Sequence, residues 1–365
     1  MNGTLLTENA TIRVFSPNTT TQPLKMKRIN CEDFSDFRKS MQTLSLLFYS
    51  LAFLLGVTGN GLVIWITGFR MKKTVNTVWF LNLSIADFIL TFSLPLGITY
   101  TAMNNHWPFG TILCKIISMV GILNLYASIF FLVVISVDRC LMVAYPVWSQ
   151  NNRTPRMARL VAMTTWIVAL AFSLPALVFR DTLTGRGNTT FCFNNYNFTD
   201  PQIVSLAQMR KMAMSLTSFI CGFLIPFIVI FFCYSVLTCK LKRSQLAKSS
   251  KPFRIMCAVV LSFFLCWLPT HIFMLIEMGL KKESSCLMKR AFLIGSPVVS
   301  SIAYFNSCIN PIIYVFIVRD FKEMLRTSIL SVLETAFKEE PITAQSRSTS
   351  VQQEESNMNM ILPTR

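Results

Sequence analysis

The sequence predicts an all-α membrane protein: a seven-transmembrane helix bundle with a short amphipathic helix after the last span. The chain of 365 residues is 53% hydrophobic and only 14% charged, and its mean hydropathy is +0.51. Soluble domains carry about 25% charged residues, so this composition is more apolar than a water-facing fold needs. The net charge of +17 lies in short basic clusters between apolar runs, so no nucleic-acid partner is expected.

Seven apolar runs are long enough to cross a bilayer, which requires roughly 18–20 residues. Backbone polar groups cannot stay unpaired in lipid, so each run is predicted to be a helix. The chain then divides into an extracellular N-terminus at 1–42, the bundle at 43–317 and a cytoplasmic segment at 318–365. The predicted spans cover 43–69, 77–101, 111–138, 159–179, 206–238, 253–278 and 291–317.

Basic residues concentrate in the loops after the first, third and fifth spans. By the positive-inside rule these loops face the cytosol, so the N-terminus is extracellular and the chain is expected to be a multi-pass protein of the plasma membrane. The basic residues of these loops are Arg70, Lys72, Lys73, Arg153, Arg156, Arg159, Lys240, Lys242, Arg243, Lys248, Lys251 and Arg254.

Sites for N-linked glycosylation support this orientation. Five Asn-X-Ser/Thr sequons lie on the predicted outer side, whereas Asn152-Arg153-Thr154 lies on the cytosolic side and is interpreted as fortuitous. The predicted glycosylation sites are Asn2, Asn9, Asn18, Asn188 and Asn197.

Four of the eleven cysteines fall on the predicted extracellular side, where oxidising conditions favour disulfides. Cys114 opens the third span and Cys192 lies in the second outer loop, so we pair them. Cys31 and Cys286 would then join the N-terminus to the third outer loop. Sequence alone permits three pairings of four cysteines.

Polar residues and prolines inside the spans form a set of motifs. Together they resemble those of rhodopsin-like G-protein-coupled receptors, in order along residues 43–326. The resemblance implies a receptor that couples to a heterotrimeric G protein. The motifs are Gly59-Asn60, Leu83-Ser84-Ile85-Ala86-Asp87, Asp138-Arg139-Cys140, Trp166, Pro226, Tyr234, Cys266-Trp267-Leu268-Pro269 and Asn310-Pro311-Ile312-Ile313-Tyr314.

Enzyme and transporter functions are not expected. The chain has two histidines, His106 in an outer loop and His271 in the sixth span, and neither an HExxH nor a GxSxG motif. His271 is interpreted as a pocket-lining or core residue. A secondary transporter would need paired helix breaks near the membrane midplane.

An acid and a base, Asp138 and Arg139, stand together where the third span is predicted to end; charges are costly there and usually functional. The resemblance implies that Asp138 neutralises Arg139 at rest and that Arg139 turns toward the G protein on activation; an interfacial pair without a switching role is the alternative. No acid at the start of the sixth span can hold Arg139, so some basal activity is expected. The predicted activation switch comprises Asp138, Arg139, Tyr234, Trp267, Pro269, Asn310, Pro311 and Tyr314.

Asp87 lies in the middle of the second span, where a carboxylate needs a cation or polar partners. In receptors that this sequence resembles, the corresponding residues line a sodium site, and oxygen ligands suit such a hard cation. The alternative is a protonated, hydrogen-bonded Asp87 without an ion. No other cofactor or metal is expected. The predicted sodium ligands are Asp87, Asn124, Ser128, Asn306 and Asn310.

A closer resemblance is to the chemoattractant subgroup, which includes chemerin, formyl-peptide, anaphylatoxin and prostaglandin D2 receptors. It is carried by FRMKKTVNTVWFLNL at 69–83, HWPFG at 106–110, YPVWSQN at 145–151 and FRDT at 179–182. It implies that Arg180 holds the carboxylate of a ligand; the alternatives are contact with lipid headgroups or a pair with Asp181. The predicted ligand-binding residues are Arg180, Lys211, Arg210, Tyr100, His271 and Tyr304.

Two features narrow the expected ligand. The third span carries Gly121 and Ile122 where amine receptors place an aspartate, which disfavours a biogenic amine. Residues 1–40 contain no tyrosine that could be sulfated, which disfavours a large cationic protein. A short peptide with a free carboxylate, or a lipid acid, is therefore expected.

The sequence of the cytoplasmic segment predicts a short helix and a phosphorylated tail. Residues 318–330 form the short amphipathic helix along the inner leaflet, and a disordered polar tail follows it. Phosphorylation of this tail would create a binding site for arrestin. The resemblance also implies an inhibitory G protein, and a decoy receptor of the same fold that does not signal is the alternative. The predicted phosphorylation sites are Thr343, Ser346, Ser348, Thr349 and Ser350.

Overall fold

A computed structural model describes residues 35–196, 204–243, 251–279, 286–317, 323, 326 and 327. The chain forms two units, Met1–Val318 and Arg319–Arg365. In the second unit Glu323, Arg326 and Thr327 are helical, and Thr327 Oγ1 donates to the Glu323 carbonyl oxygen 3.0 Å away. The rest of the predicted amphipathic helix and the five predicted phosphorylation sites lie outside the described residues.

The first three spans are long helices. A single π-helical turn, Ile66–Arg70, extends the first of them. The second inner loop contains a short helix, α4. The helices are α1 (Ser35–Trp65), α2 (Val75–Ala102), α3 (Gly110–Ala144) and α4 (Pro146–Asn152).

The fourth and fifth spans are each interrupted. In the fourth span, Pro175 lacks a backbone N–H and begins a new helix after Ser173. In the fifth span, a π-helical turn at Ile220–Leu224 precedes Pro226. The remaining helices are α5 (Pro155–Ser173), α6 (Pro175–Phe179), α7 (Val204–Phe219), α8 (Ile225–Arg243), α9 (Lys251–Gly279) and α10 (Cys286–Ile317).

These helices confirm the predicted fold class. Within the described residues, six helical segments are long and apolar enough to cross a membrane, and they correspond to the first six predicted spans. The seventh, α10, has 32 residues and packs against α1, α2 and α9. Pro269 lies inside α9, and Pro297 and Pro311 lie inside α10.

One difference from the predicted spans bears on a functional motif and lies at the cytosolic end of the third span. The apolar run predicts an end at residue 138, whereas α3 continues to Ala144. The Asp138-Arg139 pair therefore lies inside a regular helix and not at its end. Beyond it, Thr154 caps α5: its side chain accepts a hydrogen bond from the Met157 backbone N–H.

The third span lies at the centre of the bundle, because α3 packs against α2, α5 and α8. Its residues Ile129, Phe131 and Leu132 are at most 2% exposed. Apolar side chains on the outside of the bundle, such as Phe231 and Phe232 at 66% and 65%, are exposed. In a membrane protein this surface contacts lipid tails, so its exposure carries no penalty.

Asn60 joins the first and seventh spans. Its side chain is fully buried, and Asn60 Nδ2 donates to the carbonyl oxygens of Gly56 and Ser307, each 2.9 Å away. Close approach helps this contact: a Cβ atom on Gly59 would lie 2.9 Å from Pro311 Cβ. The bond to Ser307 thus fixes the seventh span against the first near Pro311.

We expect Asn60→Leu to destabilise the detergent-solubilised protein by about 1–3 kcal/mol, because a buried carbonyl oxygen of another span loses its donor. Thr58→Val is the matched control: Thr58 is exposed and donates only to carbonyl oxygens of its own helix, at Leu54 and Leu55. Thermal unfolding of both variants measures the difference. Equal melting temperatures for the two would show that the contact between the spans contributes nothing.

Candidate functional site

A two-stranded hairpin lies at the end of the bundle that is predicted to be extracellular. Strand β1 (Arg180–Thr184) pairs antiparallel with β2 (Thr190–Asn194). Cys192 forms a disulfide with Cys114 of α3, with their Cα atoms 5.8 Å apart, which confirms the predicted pairing. Cys31 and the side chain of Cys286 lie outside the described part of the chain, so the second disulfide stays a prediction.

The first outer loop holds this hairpin in place. The Trp107 backbone N–H donates to the Thr190 carbonyl oxygen at 2.8 Å, and the Thr190 N–H donates to His106 Nδ1 at 3.0 Å. The hydroxyl of Thr111 on α3 lies 2.6 Å from the hydroxyl of Thr182 on β1. The HWPFG motif therefore positions the second outer loop. The buried cluster beneath the hairpin consists of Tyr100, Trp107, Cys114 and Cys192.

Alternation along β1 separates Arg180 from Asp181. Arg180 is 9% exposed, and its Nε donates to Ser118 Oγ of α3 at 2.6 Å. The Asp181 carboxylate instead accepts hydrogen bonds from the Thr182 backbone N–H and from Asn195 Nδ2, at 2.8 and 3.1 Å. Arg180 thus turns into the bundle, and this geometry fits neither a pair with Asp181 nor contact with lipid headgroups.

Arg180 lies on the wall of a cavity of about 50 Å³. Burial lowers the pKa of the guanidinium from its ordinary value, and the nearby tyrosines Tyr196, Tyr100 and Tyr304 oppose this shift. Arginine stays charged in proteins, so the cavity holds a buried positive charge. Predicted ligand-binding residues Tyr100 and Tyr304 line the same cavity, together with Ser118, Gly121, Trp107 and Cys192.

The two other predicted cationic residues do not line this cavity. Lys211 Nζ forms an ion pair with Glu277 Oε1, 2.9 Å away, which joins the fifth span to the sixth. Arg210 Nη1 donates to the Tyr196 carbonyl oxygen at 3.0 Å. Sequence reasoning missed Glu277, although an acid at the outer end of an apolar run indicates a partner of this kind.

His271 does not line the cavity either. It is 2% exposed and packs against the π-helical turn of the fifth span, with its ring centroid 4.9 Å from that of Phe223 and 6.1 Å from that of Phe219. Within the described residues, neither ring nitrogen has a hydrogen-bond partner. The interpretation of His271 as a ligand-binding residue is therefore not supported, and it belongs to the aromatic contact between α7 and α9.

Asp87 connects three spans and is completely buried. Asn124 Nδ2 of α3 donates to Asp87 Oδ1 at 3.0 Å, and Asn310 Nδ2 of α10 donates to Oδ2 at 2.7 Å. Asn124 Nδ2 also lies 3.4 Å from Ser128 Oγ. Asn306 is one helical turn before Asn310, so the two share a helix face.

The donor set around Asp87 fits a small hard cation. Several buried oxygens have no hydrogen-bond partner among the described residues: Asn124 Oδ1, Asn306 Oδ1, Asn310 Oδ1, Ser84 Oγ and Ser307 Oγ. Carboxylate, amide and hydroxyl oxygens are the ligands that such cations prefer. Sequence reasoning did not include Ser84 and Ser307 among the sodium ligands, although Ser84 belongs to the same motif as Asp87.

At the cytosolic end, Asp138 is bound by a residue of the second inner loop. Arg153 Nε lies 2.8 Å from Asp138 Oδ1, and Arg153 Nη2 lies 3.0 Å from Oδ2. The expectation that Asp138 pairs with Arg139 is therefore wrong for this conformation. Arg153 approaches the carboxylate from the second inner loop with two parallel N–H donors, one to each oxygen, and thereby takes the place of Arg139.

Arg139 instead contacts the start of the second span. Its Nη2 donates to Asn76 Oδ1 at 2.8 Å, and its Nη1 lies 3.6 Å from Met142 Sδ. Tyr234 lies beside Arg139 and Ser136. Asn76 was missed because a polar residue in the first turn of a helix is ordinary in sequence.

The remaining predicted switch residues lie in α9 and α10. Trp267 packs on Phe263 with ring centroids 6.0 Å apart, two residues before Pro269. Asn310 bonds to Asp87 and precedes Pro311. Tyr314 belongs to α10, and its side chain lies outside the described residues.

One predicted glycosylation site is described. Asn188 is exposed on the turn between the two strands, with a φ of 59°, a left-handed conformation that asparagine tolerates. Asn2, Asn9, Asn18 and Asn197 lie outside the described residues.

Within the described residues, seven helical spans, a buried carboxylate shared by three of them and an outer hairpin tied to the third define a heptahelical membrane receptor. Residues 59–314 match the 7 transmembrane receptor family (rhodopsin family), and the chain belongs to this family. It is therefore a G-protein-coupled receptor of the plasma membrane and not an enzyme.

Similar receptors indicate the subgroup of this family to which the chain belongs. The chain is 43% identical over 319 residues to chemerin-like receptor 1 of Homo sapiens, covering 85% of this chain and 84% of that receptor. It is 40% identical to N-formyl peptide receptor 3 of Pongo pygmaeus, covering 84% and 88%. It is 41% identical to the C3a anaphylatoxin chemotactic receptor of Oncorhynchus mykiss, covering 83% and 81%. The resemblance to chemoattractant receptors is thus confirmed.

Proposed function

We propose that the chain is a receptor for a chemoattractant-type ligand, a short peptide or a lipid, whose carboxylate binds Arg180. The observation that supports this most strongly is the buried guanidinium on the wall of the outer cavity. A guanidinium presents parallel N–H donors that match the two oxygens of a carboxylate, so a site of this kind favours an anion. The family relationship supports the receptor class, and the names of the relatives include peptide and anaphylatoxin receptors.

The surroundings of Arg180 suit a carboxylate. Ser118 fixes Nε of the guanidinium, and the hydroxyl-bearing Tyr100 and Tyr304 line the same wall. At about 50 Å³ the cavity accepts one small polar group, whereas drug-sized ligands occupy roughly 300–1,000 Å³. We therefore propose that a terminal carboxylate enters first and that the rest of the ligand lies closer to the outer loops.

We expect Arg180→Ala to weaken an acid ligand roughly thirty- to a thousand-fold, because a buried charge-assisted pair loses one partner. The same ligand with its carboxylate amidated should lose far less. The measurement is a potency screen of peptide and lipid acids, each matched with its amide, on wild-type receptor and Arg180→Ala.

Lys211→Ala is the matched control for this screen, since Lys211 is a cation of the same region that is paired with Glu277. It should affect acid and amide equally. Parallel potency curves for acid and amide on wild type and Arg180→Ala would contradict the carboxylate proposal. A selective loss of the acid on Lys211→Ala would transfer the role to Lys211.

We also propose that the receptor signals through an inhibitory G protein and arrestin. Arg139, Asn310 and Tyr314 are all present in the sequence, so the residues whose loss would favour a decoy are intact. The inhibitory class is supported by the resemblance to the chemoattractant subgroup. A fall in cyclic AMP on agonist addition, abolished by Arg139→Ala, is the expected response.

Arrestin recruitment should depend on the tail. Replacing Thr343, Ser346, Ser348, Thr349 and Ser350 together by alanine should abolish agonist-driven recruitment, since each phosphate adds about −1.5 to −2 charge. A control with Ser328, Ser331 and Thr335 replaced should recruit arrestin normally. A luminescence proximity assay measures both, and unchanged recruitment by the fivefold variant would refute the proposal.

The Asp87 cluster is proposed as a sodium site. Asp87 would supply the charge, and Asn124, Ser128, Asn306 and Asn310 would supply oxygens. Sodium, when bound, would neutralise the carboxylate within the bundle. This proposal concerns ligand-free receptor and is independent of the Arg180 proposal.

The melting temperature of ligand-free wild-type receptor should be higher in sodium chloride than in choline chloride at the same ionic strength, since an ion that binds the folded state stabilises it. Asp87→Asn should remove the difference, because the neutral amide cannot balance the ion. Thr91→Val serves as a control: Thr91 is buried one turn away and donates to its own helix. A sodium effect that survives Asp87→Asn would contradict this assignment.

A further inference from the structure

Asp138 and Arg139 are neighbours in the chain but are not partners in the structure. Both carboxylate oxygens of Asp138 are occupied by Arg153, at 2.8 and 3.0 Å. The side chains of Arg153 and Asp138 are only 22% and 12% exposed, so solvent screens this pair weakly. Asp138 thus lies near two arginines, Arg139 and Arg153, and among the residues that the structure describes it forms an ion pair with Arg153 alone.

Asn76 receives the second base. Its Oδ1 accepts hydrogen bonds from Arg139 Nη2 at 2.8 Å and from Arg153 Nη2 at 2.6 Å. Arg139 Nε is buried and has no hydrogen-bond partner within the described residues. Arg139 therefore has a donor that no described residue accepts, and no described carboxylate oxygen is bonded to its guanidinium.

The backbone fixes the place of Arg153. Its N–H donates to the Ser149 carbonyl oxygen at 3.0 Å and closes α4, and the next residue, Thr154, caps α5. Helix α4 exposes Val147 and Trp148 at 72% and 51%. The bond between Arg153 and Asp138 therefore joins the conformation of the second inner loop to the charge state of the Arg139 site.

We propose that Arg153 is a positioning residue that competes with Arg139 for Asp138 and so favours the receptor conformation that binds a G protein. With Arg153 on Asp138, Arg139 is released toward Asn76. Without Arg153, Asp138 accepts the guanidinium of its neighbour Arg139 and holds it in place. The inference depends on G-protein coupling, which the family membership provides, and not on the ligand or the class of G protein.

The test measures binding of purified, ligand-free, full-length receptor to nucleotide-free heterotrimers, one from each major G-protein class. Arg153→Ala should weaken binding about fivefold or more, the usual lower range for coupling between sites. Arg153→Lys, which keeps the charge without the planar fork, should lose less than Arg153→Gln. Arg156→Ala, which removes an exposed arginine of the same loop, should bind as wild type does.

A second comparison, made in receptors that carry Asp138→Asn, distinguishes competition between Arg153 and Arg139 for Asp138 from a purely structural role of Arg153. Once the carboxylate is gone, Arg153→Ala should leave G-protein binding unchanged, because there is no acid to capture Arg139. Unchanged or tighter binding by Arg153→Ala in the wild-type background would overturn the proposal. An equal loss in the Asp138→Asn background would overturn it as well. If Arg153→Ala does not fold, the order of Arg153→Lys and Arg153→Gln decides the question.

Discussion

The need to satisfy polar groups inside a low-dielectric bundle is the constraint on which the rest of this receptor depends. Unpaired charges are costly in hydrocarbon, so a charged side chain within the spans needs compensating neighbours. Asp87 meets this requirement with amides from two other spans. Asp138 meets it with an arginine from a loop. These compensating contacts tie α2, α3, α10 and the second inner loop together, which makes the same residues suitable as switches.

At the extracellular end of the bundle, the packing of the hairpin places a charged side chain, Arg180, in a buried position. The disulfide to α3 and the hydrogen bonds from the first outer loop hold the hairpin firmly. Successive side chains of a strand point to opposite faces. In the fixed hairpin, Arg180 therefore points into the bundle and Asp181 points away from it. The buried guanidinium is thus a consequence of the strand register. The guanidinium on the cavity wall thereby presents N–H donors of the geometry that a ligand carboxylate requires.

The sequence was sufficient for the features that depend on composition and local pattern, namely the seven spans and their orientation, and it favoured the disulfide between Cys114 and Cys192 among three possible pairings. It also brought Asp87, Asn124 and Asn310 together correctly, because their motifs recur in a family of known architecture. It failed where tertiary geometry chooses among partners. Nothing local distinguishes Arg153 from the other basic residues of its loop, and only the fold brings it to Asp138. From the sequence, Lys211 is likewise interpreted as a cation available to a ligand. The packing of α7 against α9 instead brings it to Glu277, with which it forms an ion pair.

An experimental structure of the receptor bound to an acid agonist tests the central claim most directly, namely that the buried Arg180 receives the carboxylate. The account predicts both carboxylate oxygens within about 2.7–2.9 Å of the Arg180 guanidinium. Tyr100 and Tyr304 should lie on either side, and Lys211 should remain paired with Glu277. A carboxylate bound to Lys211 or Arg210, with Arg180 still directed at Ser118 and no ligand atom in its cavity, would contradict the account.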